Sequence, residues 1–125
     1  MRAIVLESHG GPEVLTAREV PEPVPGPEEV LIDVAATAVN RADLLQRMGL
    51  YPEPGPPRAH EVPGLELAGV VSAVGERVQL WSPGDAVMGV VAGGAYAEAA
   101  VLHERQAMAV PERIGLPDAG ALPEV

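Results

Sequence analysis

No cysteine occurs in the 125 residues, so the chain has no disulfide, no thiolate nucleophile and no cysteine-based zinc or iron–sulfur site. Lysine and phenylalanine are also absent, and asparagine occurs once, at Asn40. That bias fits either the base composition of the gene or a hot habitat, where amides and thiols are liabilities. Positive charge is scarce: eight basic residues, all Arg, stand against 18 acidic ones, giving a net charge of −10 and a pI of about 4.6. The arginines are scattered from Arg2 to Arg113, so no basic patch exists to hold phosphate backbones or anionic lipid. Neither a nucleic acid nor a membrane is expected as a partner. Apolar runs are short too, with nothing near the ~18 uninterrupted residues of a membrane span. A soluble, cytoplasmic protein is expected.

What is abundant is glycine and proline, 14 of each, in a chain that is 47% hydrophobic. Many short elements joined by turns follow from that composition, and the length is that of one domain. Residues 2–7 read as a strand, His9–Pro12 as a turn and Val14–Glu19 as the returning strand of a hairpin. Pro21–Pro27 has too few backbone donors for a ladder and reads as an extended surface loop. Glu29–Val39 is the longest β-rich run. Its alternation is only partial, as in a strand covered on both faces for part of its length.

The period changes at Asn40. Asn40–Met48 predicts a short helix, with Asn40 as N-cap, Asp43 favouring the positive helix start and Gly49 closing the turn. Residues 51–63 carry five prolines and read as a rigid loop. Leu65–Val74, Ala86–Val91, Ala95–Val101 and Gln106–Val110 complete a set of seven strands at the turn spacing of a small barrel. Leu116–Val125 reads as a helix that has just begun. His9, His60 and His103 lie in separate turns without ligand spacing.

The order hairpin, Pro-rich loop, long strand and Asn-Arg-Ala-Asp helix, followed by Tyr51-Pro52, Pro63-Gly-Leu-Glu-Leu-Ala-Gly-Val-Val71 and Gly84-Asp85-Ala-Val87, resembles the medium-chain dehydrogenase/reductase superfamily. The unbroken run from Val39 to Pro52 resembles its zinc-free, zeta-crystallin-like NADPH:quinone oxidoreductases, of the p53-inducible type. The resemblance implies a mainly β fold, a GroES-like, partly closed β-barrel with short helices, over residues 1–115. Residues 116–125 would then begin the helix that links to a dinucleotide-binding Rossmann domain. No G-x-G-x-x-G loop follows a strand here, so that domain is expected to be absent from this chain, and the chain to be a fragment.

In zinc-dependent relatives the positions of Asn40, Ala42 and Leu65 hold a Cys ligand, a proton-relaying hydroxyl and a His ligand. An amide, a methyl and an isobutyl group do not supply the donors of a catalytic zinc, and no metal site is expected. What the resemblance implies instead is hydride transfer from NADPH to a quinone in the full-length enzyme, with the cofactor carrying the difficult chemistry. The protein adds orientation and a donor for the oxygen that becomes negative. Tyr51 and Asn40 are the catalytic candidates, and Asn40 and Arg41 the candidates for touching the cofactor. Asp43 and Glu66 match positions whose zinc-related duties have lapsed. Asp43 is expected to support the helix start, and Glu66 to be partly buried with Arg41 or Arg47 as its partner. A homodimer is implied for the full-length form. An enoyl or alkenal reductase suits the same residues, and a non-catalytic GroES-like binding module is the reading from a different class.

Overall fold

The computed structural model describes residues 1–52 and 58–124. Within the proline-rich stretch expected to be a rigid loop, residues 53–57 lie outside the described residues. Among the described residues, seven strands form two antiparallel sheets. The smaller is the hairpin of β1 (Arg2–Leu6) and β2 (Leu15–Glu19), in register from Arg2↔Glu19 to Leu6↔Leu15. Their connection contains a single 3₁₀ turn, Pro12–Val14, opened by a proline whose fixed φ suits the first turn position. That turn takes up Val14, which the sequence pattern assigned to β2.

The larger sheet has the order β6-β3-β4-β5-β7. Its spine is β3 (Glu29–Thr37), flanked by β4 (Glu66–Val74) and β6 (Ala99–His103), with β5 (Ala86–Val90) and β7 (Met108–Ala109) beyond β4. Val30, Leu31 and Ile32 are buried in succession whereas Asp33 is exposed, the partial double cover expected of this strand. Register shifts at Leu31/Ile32 and Val34/Ala36 bend β3 and re-aim its end, as bulges do. Gly69 lies where β4 crosses β3: a Cβ there would fall on the Asp33 carbonyl oxygen and 2.7 Å from Ile32 Cγ2.

The strand expected at Ala95–Val101 begins at Ala99. Residues 96–98 are used otherwise, since they stitch β1 to the large sheet: Ile4 N–H donates to Tyr96 O at 2.8 Å and Glu98 N–H to Arg2 O at 3.1 Å. With bridges at Ala3↔Ala97 and Leu6↔Glu61, the sheets wrap toward each other while β6 and β7 remain edges. The barrel is therefore partly closed. Its main core comprises Val30, Ile32, Leu67, Val71, Val87, Val91 and Leu102, with Trp81 packed against it. Each such side chain contributes about 1.5–3 kcal/mol when fully buried. Ala3, Val5, Val20 and Val62 form a second cluster under the hairpin.

Helix α1 (Arg41–Arg47) follows β3, with Asn40 as N-cap as the sequence predicts. Gly49, at φ +75°, closes it, a conformation that favours glycine. The tail differs from expectation. Helix α2 is one turn, Leu116–Ala119, capped at Gly120, and it packs back on the sheet with Ala119 fully buried. Gly120 lies so close to β3 that a Cβ would sit 2.6 Å from Ala36 Cβ, and this contact turns the chain at that point.

Candidate functional site

The end of β3, the start of α1 and the start of β4 meet around four polar side chains. Asn40 has extended backbone angles (φ −110°, ψ 158°) that turn the chain out of β3. Asp43 Oδ2 accepts the Asn40 backbone N–H at 2.8 Å, the return arm of a capping box. The Asn40 side chain lies on the Asp43 N–H, whose hydrogen bond goes to the Asn40 backbone carbonyl at 3.1 Å. Asn40 Nδ2 donates to Glu66 Oε1 at 2.7 Å. The register of β4 against β3 sets this up, because Thr37 pairs with Leu67 and the Thr37 hydroxyl donates to the Glu66 carbonyl at 2.7 Å.

Glu66 and Asp43 are both buried, 1% and 5% exposed. Buried carboxylates need partners, and for Glu66 the partner is not an arginine. Its second oxygen accepts the Glu124 N–H at 3.0 Å, and among the described residues no ion pair reaches it. The expected Arg41 or Arg47 pairing is corrected accordingly. Arg41 projects from the first turn of α1, exposed, and Arg47 Nε is buried without a hydrogen-bond partner among the described residues. The Asn40 side-chain amide and the Glu124 backbone N–H do the work that a cation would have done.

Tyr96 completes the cluster and was not singled out from sequence. Its hydroxyl donates to Asp43 Oδ2 at 2.9 Å and lies 3.4 Å from the Ala38 carbonyl. Burial, then the bond to Asp43 and the negative charge of Asp43 and Glu66, push this phenol well above the ordinary tyrosine value of 10. One signal was available: Tyr96 is one of only two tyrosines in a chain without phenylalanine, so its hydroxyl rather than its ring was worth questioning. Asp43 Oδ1 is buried and unpartnered.

Tyr51 lies beyond the other end of α1. It is 39% exposed, after the turn in which Leu50 N–H donates to Leu45 O at 2.8 Å. Seven helical residues span ~10 Å at 1.5 Å each, with Asn40 before the helix and Tyr51 after it. The structure thus joins Asn40 to Glu66, Asp43 and Tyr96, sets Arg41 beside them on the surface, and keeps Tyr51 reachable from solvent. A groove of about 480 Å³, lined by Thr37, Tyr96, Val34 and Ile4 among others, borders this cluster. A second cavity, of about 260 Å³, lies under the Pro21–Pro23 loop and shares none of these polar groups.

Residues 26–112 match the alcohol dehydrogenase GroES-like domain, and the chain belongs to that family. Its relatives include quinone oxidoreductases. It is 39% identical to the quinone oxidoreductase of Lama guanicoe over 98% of this chain and 37% of that protein. It is 36% identical to the human synaptic vesicle membrane protein VAT-1 homolog, over 98% of this chain and 31% of that one. Among solved structures, the Escherichia coli quinone oxidoreductase complexed with NADPH superposes with a TM-score of 0.89 at 35% identity, covering 98% of this chain and 37% of that one. The chain thus spans little more than a third of the quinone oxidoreductases it matches. These relatives support an oxidoreductase family and the GroES-like fold.

Proposed function

We propose that this chain is the substrate-side domain of a quinone reductase that uses NADPH and no zinc. The observation that carries the reading is the state of Asn40: where zinc-dependent relatives place a thiolate, an amide is committed to a buried carboxylate 2.7 Å away. With Leu65 at the other matching position, the donor set is that of a hydrogen-bonding site, not of a metal centre. The solved quinone oxidoreductase with NADPH and 35% identity supports the choice of cofactor and substrate class.

NADPH, when bound to the longer form, supplies the hydride. Asn40 and Arg41, at the exposed start of α1, would face it from this domain. Tyr51 offers a neutral O–H donor on an accessible loop, suited to the oxygen on which negative charge develops. Asn40 offers an amide N–H to the same end. A quinone is electron-poor enough to accept hydride with hydrogen bonds alone, so no stronger electrophile is required of the protein. The homodimer and cytoplasmic location implied by the resemblance belong to this same proposal.

The test is NADPH-dependent reduction of an ortho-quinone by the longest form of the protein, beside Tyr51→Phe. Loss of a well-placed proton donor costs about 10²-fold or more in rate, and kcat/KM is expected to fall by that order. Unchanged kcat/KM removes Tyr51 from the mechanism. Absence of quinone turnover with reduction of an activated enone transfers the assignment to an enone reductase, and absence of both leaves a binding module.

A further inference from the structure

We infer that Glu66 is a positioning residue that fixes which way round the Asn40 amide is held, and so makes Asn40 a hydrogen-bond donor. The inference rests on the proposed catalytic use of Asn40. An amide has two chemically different ends of nearly equal size, and only its surroundings decide between them. Here one neighbour decides it. Glu66 Oε1 faces the amide nitrogen at 2.7 Å, and the side chain otherwise lies on the Asp43 N–H.

Turning the amide over would set its oxygen against the Glu66 carboxylate, an unfavourable contact. The other oxygen of Glu66 is already taken by the Glu124 N–H at 3.0 Å, and the carboxyl is buried, at 1% exposure. Glu66 is itself fixed, being the first residue of β4 with its carbonyl held by Thr37 at 2.7 Å. One amide N–H is consumed by Glu66. The other is left over, and a half-buried Asn40 presents it as a donor with a single orientation. A carboxylate with no remaining metal-related task thereby acquires one: it removes the freedom that would let Asn40 present an acceptor to a developing oxyanion.

The chain itself provides the probe, because Asn40 is its sole asparagine and ¹⁵N-asparagine labelling yields a single side-chain NH₂ pair. In the unsubstituted protein the proton bonded to Glu66 is expected to exchange with solvent at least roughly tenfold more slowly than its geminal partner. In Glu66→Leu, which offers Asn40 no acceptor, that difference should collapse. Equal exchange of the two protons in the unsubstituted protein overturns the inference, and this measurement decides it even if Glu66→Leu does not fold. An undiminished difference in a folded Glu66→Leu chain, judged by unchanged backbone amide resonances, overturns it equally. In the longest form, Glu66→Leu should lower kcat at least tenfold with KM little changed; a change confined to KM speaks against positioning. Asymmetric exchange in a protein that reduces no quinone would uphold the role of Glu66 and refute the function proposed above.

Discussion

Tyr96 and Asp43 should be energetically coupled, and the amount can be worked from their surroundings. Tyr96→Phe keeps the ring, which packs against Ala3, Val5 and Val62, and removes only the hydroxyl that lies 2.9 Å from Asp43 Oδ2. A hydrogen bond to a charged acceptor is worth about 1.5–3 kcal/mol net. Tyr96 is only partly buried, which argues for the lower part of that range, about 1.5–2 kcal/mol. Asp43→Ala does more: it strands both the Tyr96 hydroxyl and the Asn40 N–H, two donors at about 1–3 kcal/mol each. The hydroxyl retains the Ala38 carbonyl at 3.4 Å as a poor substitute, so a loss of about 2–4 kcal/mol is expected. The double variant should then cost about 1.5–2 kcal/mol less than the two single losses combined. Urea unfolding of the four proteins, with equal m-values, measures the cycle. Additivity within about 0.3 kcal/mol would mean that the bond contributes nothing to the cluster, and the reasoning would fail.

The same tyrosine predicts the alkaline limb of stability. Its folded phenol holds its proton well above the ordinary value of 10, so above pH 10 the unfolded chain releases a proton that the folded chain keeps, and stability falls as pH rises. Tyr96→Phe should flatten that fall, as seen in denaturation midpoints between pH 9 and 11; an unchanged slope would assign the loss to other groups. On the acid side the backbone N–H groups of Gln79 and Leu80 hold the Glu104 carboxyl below its ordinary 4.5. Its contribution is present above that pH and is lost as pH falls through the folded value, so Glu104→Ala should weaken the acid dependence of stability along with lowering stability at pH 7. In the core, Leu67→Ala empties a fully buried site between Val30, Val71 and Val87 and should cost about 2–5 kcal/mol. Calorimetry should register that as a Tm lowered by roughly 3–4 °C per kcal/mol for a domain of this size.

The strands and α1 were legible because their signals are local. Glu29–Thr37 and Glu66–Val74 announce themselves by β-branched content, and Asn40, Asp43 and Gly49 mark a helix start and stop that the structure confirms. What was not legible depends on partners distant in sequence. Residues 96–98 pattern as part of β6, but their backbone groups go to β1, 92–96 positions away, and nothing within the segment records that. Glu66 invited an arginine as partner, since charge seeks opposite charge. The two N–H groups that took that role belong to Asn40 and Glu124, one on each side and both far along the chain. Tyr51 and Asn40 were chosen together from the resemblance. The structure joins only Asn40 to a polar cluster and leaves Tyr51 on the surface beyond α1.

That separation has a physical meaning once the anchoring of α1 is considered. A seven-residue helix has almost no stability of its own, so its orientation is set by whatever holds its ends. The N-terminal end is held by Asp43, which gathers the Asn40 N–H and the Tyr96 hydroxyl, and by the bond from Asn40 to Glu66. The C-terminal end is held by the buried Gln46, whose amide donates to Glu61 at 2.9 Å, by the Gly10 N–H on the Arg47 carbonyl at 2.9 Å, and by Gly49 packed against the His9 ring. Each anchor reaches a different strand or loop of the barrel. Under the function proposed above, hydride transfer asks a protein mainly for fixed donor positions, and a short helix clamped at both ends is a means of fixing Asn40 at its start. Asp43, expected from sequence to support the helix start, and Glu66, expected there to pair with an arginine, are therefore two of the clamps on the N-terminal end of α1.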